Sequence, residues 1–299
     1  MKTYDCVCIG LCAADYLCLV ERYPRADEKT VAVEFSKQGG GPAATAAAAL
    51  GKWGAKVAFV GKVGDDEDGR FVIAELEKMN VDVTSVIVSK KSRTPKAFVW
   101  VERGAGRRTV VLDRTGMQPV RASEISKVRF PAAGFLLMDG RDTDACLRAA
   151  KITHDNGGQV ILDAGSPRKK MDALFRATDY FAASHTFIRH YFGRMSTKTA
   201  CHRILESGPR VVVITLGEKG CIIATRDEFL HIPAFRKKDF IVDTTGAGDV
   251  FHGGFVYGLI RGWELEFCAR FANAAAFLKC GKLGGRAGIP TLRDIYKLI

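Results

Sequence analysis

The run Phe240-Ile241-Val242, followed by Asp243-Thr244-Thr245-Gly246-Ala247-Gly248-Asp249 and the amphipathic stretch Val250–Ile260, reads as strand, tight turn and helix. Gly246, Ala247 and Gly248 leave backbone N–H groups uncovered at the start of the helix. The orphan donors and the positive end of the helix dipole point the same way, so such a turn binds anions. A carboxylate at Asp249 would repel a simply bound phosphate. It makes sense if Asp249 removes a proton from a hydroxyl while the turn holds the charge of a transferring phosphoryl group. The competing explanation is a helix N-cap, where Asp is a preferred residue.

The string Asp243–Asp249 with its helix resembles the C-terminal signature of the ribokinase (PfkB) carbohydrate kinases. A second stretch, Gly39-Gly40-Gly41-Pro42-Ala43-Ala44-Thr45 through Gly61-Lys62-Val63-Gly64-Asp65-Asp66 and Gly69, resembles that family's N-terminal signature. The two motifs stand in the family's order, and the resemblance covers essentially the whole chain. It implies a ribokinase-like three-layer α/β sandwich, with a mostly parallel central sheet and a small β-sheet lid. It implies transfer of the γ-phosphate of ATP to a sugar hydroxyl, with Mg²⁺ and a monovalent cation such as K⁺ as accessories.

The rest of the chain has the alternation such a fold requires. Cys6–Ile9, Lys56–Val60, Gly134–Met138, Val160–Leu162 and Val211–Thr215 read as buried strands. Between and after them lie helical stretches at Glu67–Met79, Asp144–Asp155, Thr197–Ser207, Val250–Ile260 and Glu264–Lys279. With no internal repeat and no low-complexity linker, residues 1–299 are expected to form one domain. Residues around 16–36 and 94–112 break the alternation, with period-two patterns and interspersed charge. They are solvated hairpins on their residues alone; the resemblance makes them the lid, and paired lids imply a homodimer.

A chain of 299 residues, 47% hydrophobic, can bury a large core. It lacks an apolar run of about 18 residues, and Met1-Lys2-Thr3-Tyr4-Asp5 lacks the form of a signal peptide, so a cytoplasmic protein without membrane contact is expected. Nine cysteines read as reduced core thiols. Cys6 and Cys8 share one strand face without other metal ligands at suitable spacing. The net charge of +12 is dispersed in groups such as Arg168-Lys169-Lys170 and Arg236-Lys237-Lys238 without interleaved aromatics, which argues against nucleic acid and for solvated surface. A P-loop motif is absent, Gly39–Gly41 is not a dinucleotide fingerprint, and no Gly-x-Ser-x-Gly exists.

The glycines at 39–41 allow backbone to approach a ligand closely, so Gly40 and Gly41 are expected at the acceptor. Further residues follow from the resemblance. Asp15, whose alternative is a turn residue, sits where the family has a carboxylate gripping two sugar hydroxyls. Ala44 replaces a common Asn, and Gly-Gly-Gly-Pro-Ala-Ala-Thr is similar to sulfofructose kinases, as is the run Leu278-Lys279-Cys280 with Gly284-Gly285-Arg286-Ala287-Gly288-Ile289-Pro290. Arg114 and Arg141 resemble arginines in the loops of ketohexokinases; sulfofructose kinases also have an arginine at the place of Arg141 and a lysine at that of Lys29. The resemblance therefore implies a ketose of the fructose class, sulfofructose among them, with a neutral-sugar fructokinase or ketohexokinase, or a ribokinase-type kinase of another sugar or sugar acid, as the alternative. On the nucleotide side it implies Thr215, Gly217 and Gly220 along the phosphates and Asn273 by the adenine and ribose. The family's Asn-x-x-Glu, which organises Mg²⁺, reads Ser184-His185-Thr186-Phe187 here. A catalytically silent nucleotide- or sugar-binding regulator on the same fold is the alternative of another class.

Overall fold

The computed structural model describes residues 3–104, 106–128, 130–237 and 239–299. Ala105, in the expected segment 94–112, and Lys238, in one basic group, lie outside the described residues. The chain starts with β1 (Thr3–Ile9), β2 (Ala13–Val20), β3 (Glu34–Gly40), α1 (Pro42–Lys52) and β4 (Val57–Val60). Next come β5 (Lys62–Gly64), α2 (Glu67–Lys78), β6 (Val81–Asp82), β7 (Ile87–Ser89), β8 (Lys96–Glu102), β9 (Arg108–Asp113) and α3 (Ala122–Lys127). A regular alternation follows: β10 (Ala132–Met138), α4 (Thr143–Asp155), β11 (Gln159–Ala164), α5 (Met171–Arg176), β12 (Tyr180–Ser184), α6 (His185–Phe192), α7 (Thr197–Glu206) and β13 (Val211–Thr215). The hairpin β14 (Cys221–Ala224) and β15 (Phe229–Ile232) precedes α8 (Ala247–Ile260), α9 (Leu265–Lys279) and α10 (Leu292–Tyr296).

These strands build a nine-stranded sheet in the order β15-β14-β13-β12-β11-β10-β1-β4-β6. All its pairings are parallel except those of β14 with β13 and β15. β1 lies inside the sheet, between β10 and β4, and its alternation shows the two cores. Cys6 and Cys8 pack under α1, α8 and α9; Val7 and Ile9 pack on the opposite side, with α4, α5, α6 and α7. The two thiols lie 4.0 Å apart and all nine cysteines are free. Among the described residues no group of three or more His, Cys, Asp or Glu could hold a metal ion, and no helix is long and apolar enough to cross a membrane.

A second sheet, ordered β3-β2-β8-β9, takes up the segments around 16–36 and 94–112. Its first strand begins earlier than the pattern suggested, at Ala13, and residues 21–33 connect β2 to β3 without a strand. One face is dry: Leu17, Leu19, Ala97, Val99 and Val101 pack with Leu283. The expected strand Phe240–Val242 is not formed. The backbone there is bound to the end of α9 instead, with Val242 and Asp243 N–H donating to the Cys280 carbonyl at 2.8 and 3.1 Å. Because the parallel strands share a direction, Ile9, Met138, Ala164, Ser184 and Thr215 end along one edge, where ligands bind in such sheets.

Candidate active site

α8 starts at Ala247, three residues before the sequence pattern suggested. Its cap is Gly246 in the left-handed region (φ 73°), and a Cβ there would sit 2.7 Å from Gly285 Cα. Asp249 therefore lies inside the first turn and does not cap the helix; its carboxylate has no hydrogen bond among the described residues. Burial raises its pKa to about 6, with Asp163 pushing the same way and His252, Arg108 and Lys279 opposing. A carboxyl group poised there is a base near neutral pH. The Ala247 N–H, expected as an anion donor, already donates to the Thr244 carbonyl at 3.2 Å. Gly246 and Gly248, and also Asp249, keep N–H groups with no partner among the described residues. A Cβ at Gly248 would meet open space.

The turn is braced from behind. Buried Asp243 accepts the Thr245 N–H and Oγ1–H at 2.8 and 2.7 Å and the Gly284 N–H at 2.8 Å. The fully buried Lys279 donates to the Asp243 carbonyl at 2.7 Å, and burial holds its pKa below the ordinary lysine range. From the second sheet, Arg108 donates to Thr244 Oγ1 at 2.7 Å, and Thr244 donates to the Gly106 carbonyl at 3.1 Å. Near Asp249, His252 Nδ1 faces Asp163 Oδ2 at 2.9 Å without in-line hydrogen-bond geometry, and His252 Nε2 is buried without a partner among the described residues. Despite its burial, the neighbouring Asp163 and Asp249 raise the His252 pKa.

Asp15 is part of β2 and not of a turn, and its side chain is almost fully buried. Burial raises its pKa to about 7; Arg286 opposes, whereas Asp249 reinforces the rise, so the two carboxylates share one cleft. Gly40 is a glycine because Asp15 occupies the space of its side chain, with the carboxylate 2.2 Å from a Cβ built there. Gly41 caps α1 at φ 92° against the Leu11 carbonyl. Arg286, fully buried, donates to the Gly40 carbonyl at 3.2 Å and pairs with Glu75 at 3.4 Å. It is the countercharge for Asp15, and its only trace in the sequence is an arginine in the apolar, glycine-rich run at 284–290.

Arg114 and Arg141 come together, joined by Arg168, which had looked like solvated surface. Burial lowers the Arg114 pKa, and Arg141 and Arg168 lower it further. Lys29 does not join them. It is exposed in the connection between β2 and β3, without a hydrogen bond or ion pair among the described residues.

On the nucleotide side, Ser184 and Thr215 are direct register partners at the ends of β12 and β13. The Ser184 hydroxyl caps α6, accepting the Phe187 N–H at 3.3 Å, and Phe187 is buried core. That pair therefore cannot act as an Asn-x-x-Glu metal organiser, and these residues do not fit a protein-held Mg²⁺. Gly217 (φ 62°) borders open space, whereas Gly220 (φ 95°) is needed for close approach to the Ile232 carbonyl. Asn273 also ties the fold together: its amide N–H groups go to the Ile232 and Pro233 carbonyls, both at 3.2 Å.

A carboxylate on a helix start thus stands beside free amides at the carboxyl edge of a parallel sheet. The model of the pfkB family carbohydrate kinases matches residues 3–292. The chain belongs to that family. This carbohydrate kinase is 30% identical over 256 residues to an uncharacterized sugar kinase of Archaeoglobus fulgidus, covering 82% of the chain and 99% of that protein. It is 25% identical to the ketohexokinase of Mus musculus, covering 95% and 98%. The structure of the Arabidopsis thaliana ribokinase complexed with ribose and ATP superposes with a TM-score of 0.81 at 24% identity, covering 99% of each chain. The kinase thus has the ribokinase-like architecture, a large mostly parallel sheet beside a smaller one.

Proposed function

We propose that this carbohydrate kinase transfers the γ-phosphoryl group of ATP to a hydroxyl of a ketose of the fructose class. Asp249 takes the hydroxyl proton as the acceptor oxygen bonds to the γ-phosphorus; the bond from that phosphorus to the bridging oxygen breaks and ADP leaves. The N–H groups of Gly246 and Gly248, with that of Asp249, hold the charge of the moving group. Asp15 accepts hydrogen bonds from acceptor hydroxyls, and the second sheet is the lid. Ser184, Thr215 and Gly217 border the nucleotide. Mg²⁺ arrives with the ATP phosphates and waters, the usual manner of that ion in kinases. A monovalent cation is an accessory suggested by resemblance alone. We also read the molecule as a cytoplasmic homodimer joined through the lid.

The observation that carries this reading is the unpartnered Asp249 carboxylate, with its pKa at about 6, one turn inside a helix that offers free amides. ADP release across ketoses, aldoses, nucleosides and sugar acids tests it. A ketose is expected to give the highest kcat/KM. Asp249→Asn, isosteric but unable to take a proton, lowers turnover by about 10²–10⁴, or roughly 3–5 kcal/mol, with ATP affinity little changed. Near-normal turnover in that variant would remove Asp249 from the chemistry, and no ADP release from any acceptor would favour the silent regulator.

A further inference from the structure

Of the lysines and arginines, three are buried among the described residues: Lys62, Lys279 and Arg286. Lys62 meets Glu124 at 2.6 Å, and Arg286 meets Glu75 at 3.4 Å. Lys279 differs. It is fully buried with no carboxylate within ion-pair distance among the described residues, and its ammonium donates to a backbone oxygen, the Asp243 carbonyl, at 2.7 Å. Lysine is almost never fully buried without a partner of opposite charge.

Lys279 is the last residue of α9, and its ammonium reaches the segment that leads into the turn before α8. Those two stretches are joined without it. The Val242 and Asp243 N–H groups donate to the Cys280 carbonyl, and the Gly284 N–H donates to the Asp243 carboxylate. What Lys279 adds is positive charge. Burial pulls its pKa down, Asp243, Cys280 and Asp249 act the other way, and Arg108 reinforces the fall. The charge also reaches the turn, since Lys279 opposes the rise of the Asp249 pKa. In a low-dielectric interior, a fixed charge acts strongly on charge that develops nearby.

Resemblance suggests a monovalent cation such as K⁺ as an accessory, but the surroundings of this turn, where the transferring charge develops, do not fit one. Backbone carbonyls are suitable K⁺ ligands, and the Asp243 carbonyl holds an ammonium. The Asp243 carboxylate is committed to the Thr245 N–H and Oγ1–H and the Gly284 N–H. A K⁺ added here would set two positive charges side by side in a buried place, where they repel strongly. We infer that the Lys279 ammonium is a built-in replacement for the monovalent cation, a positioning residue that charges the turn before α8 so that phosphoryl transfer proceeds without K⁺. This inference rests on the kinase reading above. A lysine ammonium is a compact point charge, and one tethered to the chain needs no binding equilibrium.

The test measures ADP release by full-length wild type and Lys279→Met with ATP, Mg²⁺ and the best acceptor of the panel. The salts are tetramethylammonium chloride, KCl and NH₄Cl at equal ionic strength. Wild type should turn over within about twofold in all three. Lys279→Met keeps an unbranched side chain without the charge. It should lose about ten- to a hundredfold in kcat in tetramethylammonium chloride and regain about fivefold or more in KCl or NH₄Cl. A lysine that only braced the two stretches would lose turnover and Tm together, blind to the salt. That result overturns the inference, as does a variant as active as wild type, or a wild type that K⁺ activates more than about twofold. Thermal melting is a second readout that needs neither ATP nor acceptor. KCl should raise the Tm of Lys279→Met above its value in tetramethylammonium chloride and leave that of wild type unchanged. If no acceptor releases ADP, the kinase reading fails and the melting curves decide cation replacement alone: a wild-type Tm raised by K⁺, or a variant Tm blind to it, overturns it. If Lys279→Met folds in none of the salts, wild type decides, with K⁺ activation overturning the inference and indifference to K⁺ supporting it.

Discussion

As the proposed base, Asp249 works only as a carboxylate, and its neighbours decide at what pH it becomes one. Its pKa is raised to about 6, so activity should be complete above that pH and fall about tenfold per unit below it. The same shift carries a stability consequence of opposite sense. A carboxyl whose folded pKa exceeds its ordinary value of 3.8 binds protons on folding, so this group destabilises the protein as pH rises from about 4 to about 6. The imidazole of His252 is one of the positive charges that keep Asp249 from titrating higher still, and Asp163 is the carboxylate it offsets. His252→Asn would leave Asp163 uncompensated and move the acid limb of kcat/KM upward. The loss of activity should be roughly three- to tenfold greater at about pH 6 than at about pH 8. Removing both charges, in the double variant Asp163→Asn with His252→Asn, should bring the limb back toward wild type. A histidine that served packing alone would lower kcat/KM equally at every pH, and pH–rate profiles of the three proteins distinguish the cases. The base itself was legible in the sequence, but the pair near it was not. Asp163 and His252 are far apart in the chain and meet only because α8 crosses under the end of β11.

The turn before α8 separates two jobs that its sequence had merged. Gly246 is required by the backbone, with φ 73° and Gly285 pressed against its missing side chain. Gly248 lies in the helix without positive φ, and the space beyond it is empty. The two glycines should therefore fail differently. Gly246→Ala is expected to destabilise the fold by about 1–3 kcal/mol, read as a lowered Tm. Gly248→Val should keep Tm near wild type and lose about 10²-fold or more in turnover, because the branched side chain fills the space over the free amides. Retained turnover in folded Gly248→Val would remove the anion role from this turn. The motif announced a turn and a helix because glycines and a following apolar run are local signals. It could not announce that Phe240–Val242 would abandon strand pairing for the Cys280 carbonyl, or that the Ala247 N–H would be spent on Thr244, since those partners come from the fold.

The large sheet was readable because parallel strands buried on both faces are short apolar runs separated by helices. β1, β4, β10, β11 and β13 appear where those runs fall. The small sheet was harder to bound, because its outer face is neither core nor ordinary polar surface. Register places Lys37, Tyr16, Phe98 and Val111 in one row across the four strands, and Phe35, Cys18, Trp100 and Thr109 in the next. Tyr16 stacks on Phe98 with ring centroids 5.6 Å apart, yet Phe35 is 61% exposed and Val111 52%. The opposite face is already closed on Leu283; of the outer rows, Tyr16 and Lys37 are met by Asp68 of α2 at 2.7 and 2.8 Å, while Phe35, Phe98 and Val111 remain exposed. Contiguous exposed apolar surface of this kind marks an association site. A second copy is the expected occupant, since a pair of sheets stacked face to face about 10 Å apart would cover both sets of aromatic residues at once. Sedimentation velocity at micromolar concentration should therefore give a dimer for the wild type. Phe98→Asp, which puts a charge in the middle of the apolar row, should give a monomer with an unchanged far-ultraviolet spectrum, because the side chain is 38% exposed and makes no part of either main core. Since Arg108 of β9 ties this sheet to Thr244 beside the turn before α8, the monomer should also lose acceptor affinity more than ATP affinity. A wild type that sediments as a monomer, or a Phe98→Asp protein that stays dimeric, would place the interface elsewhere.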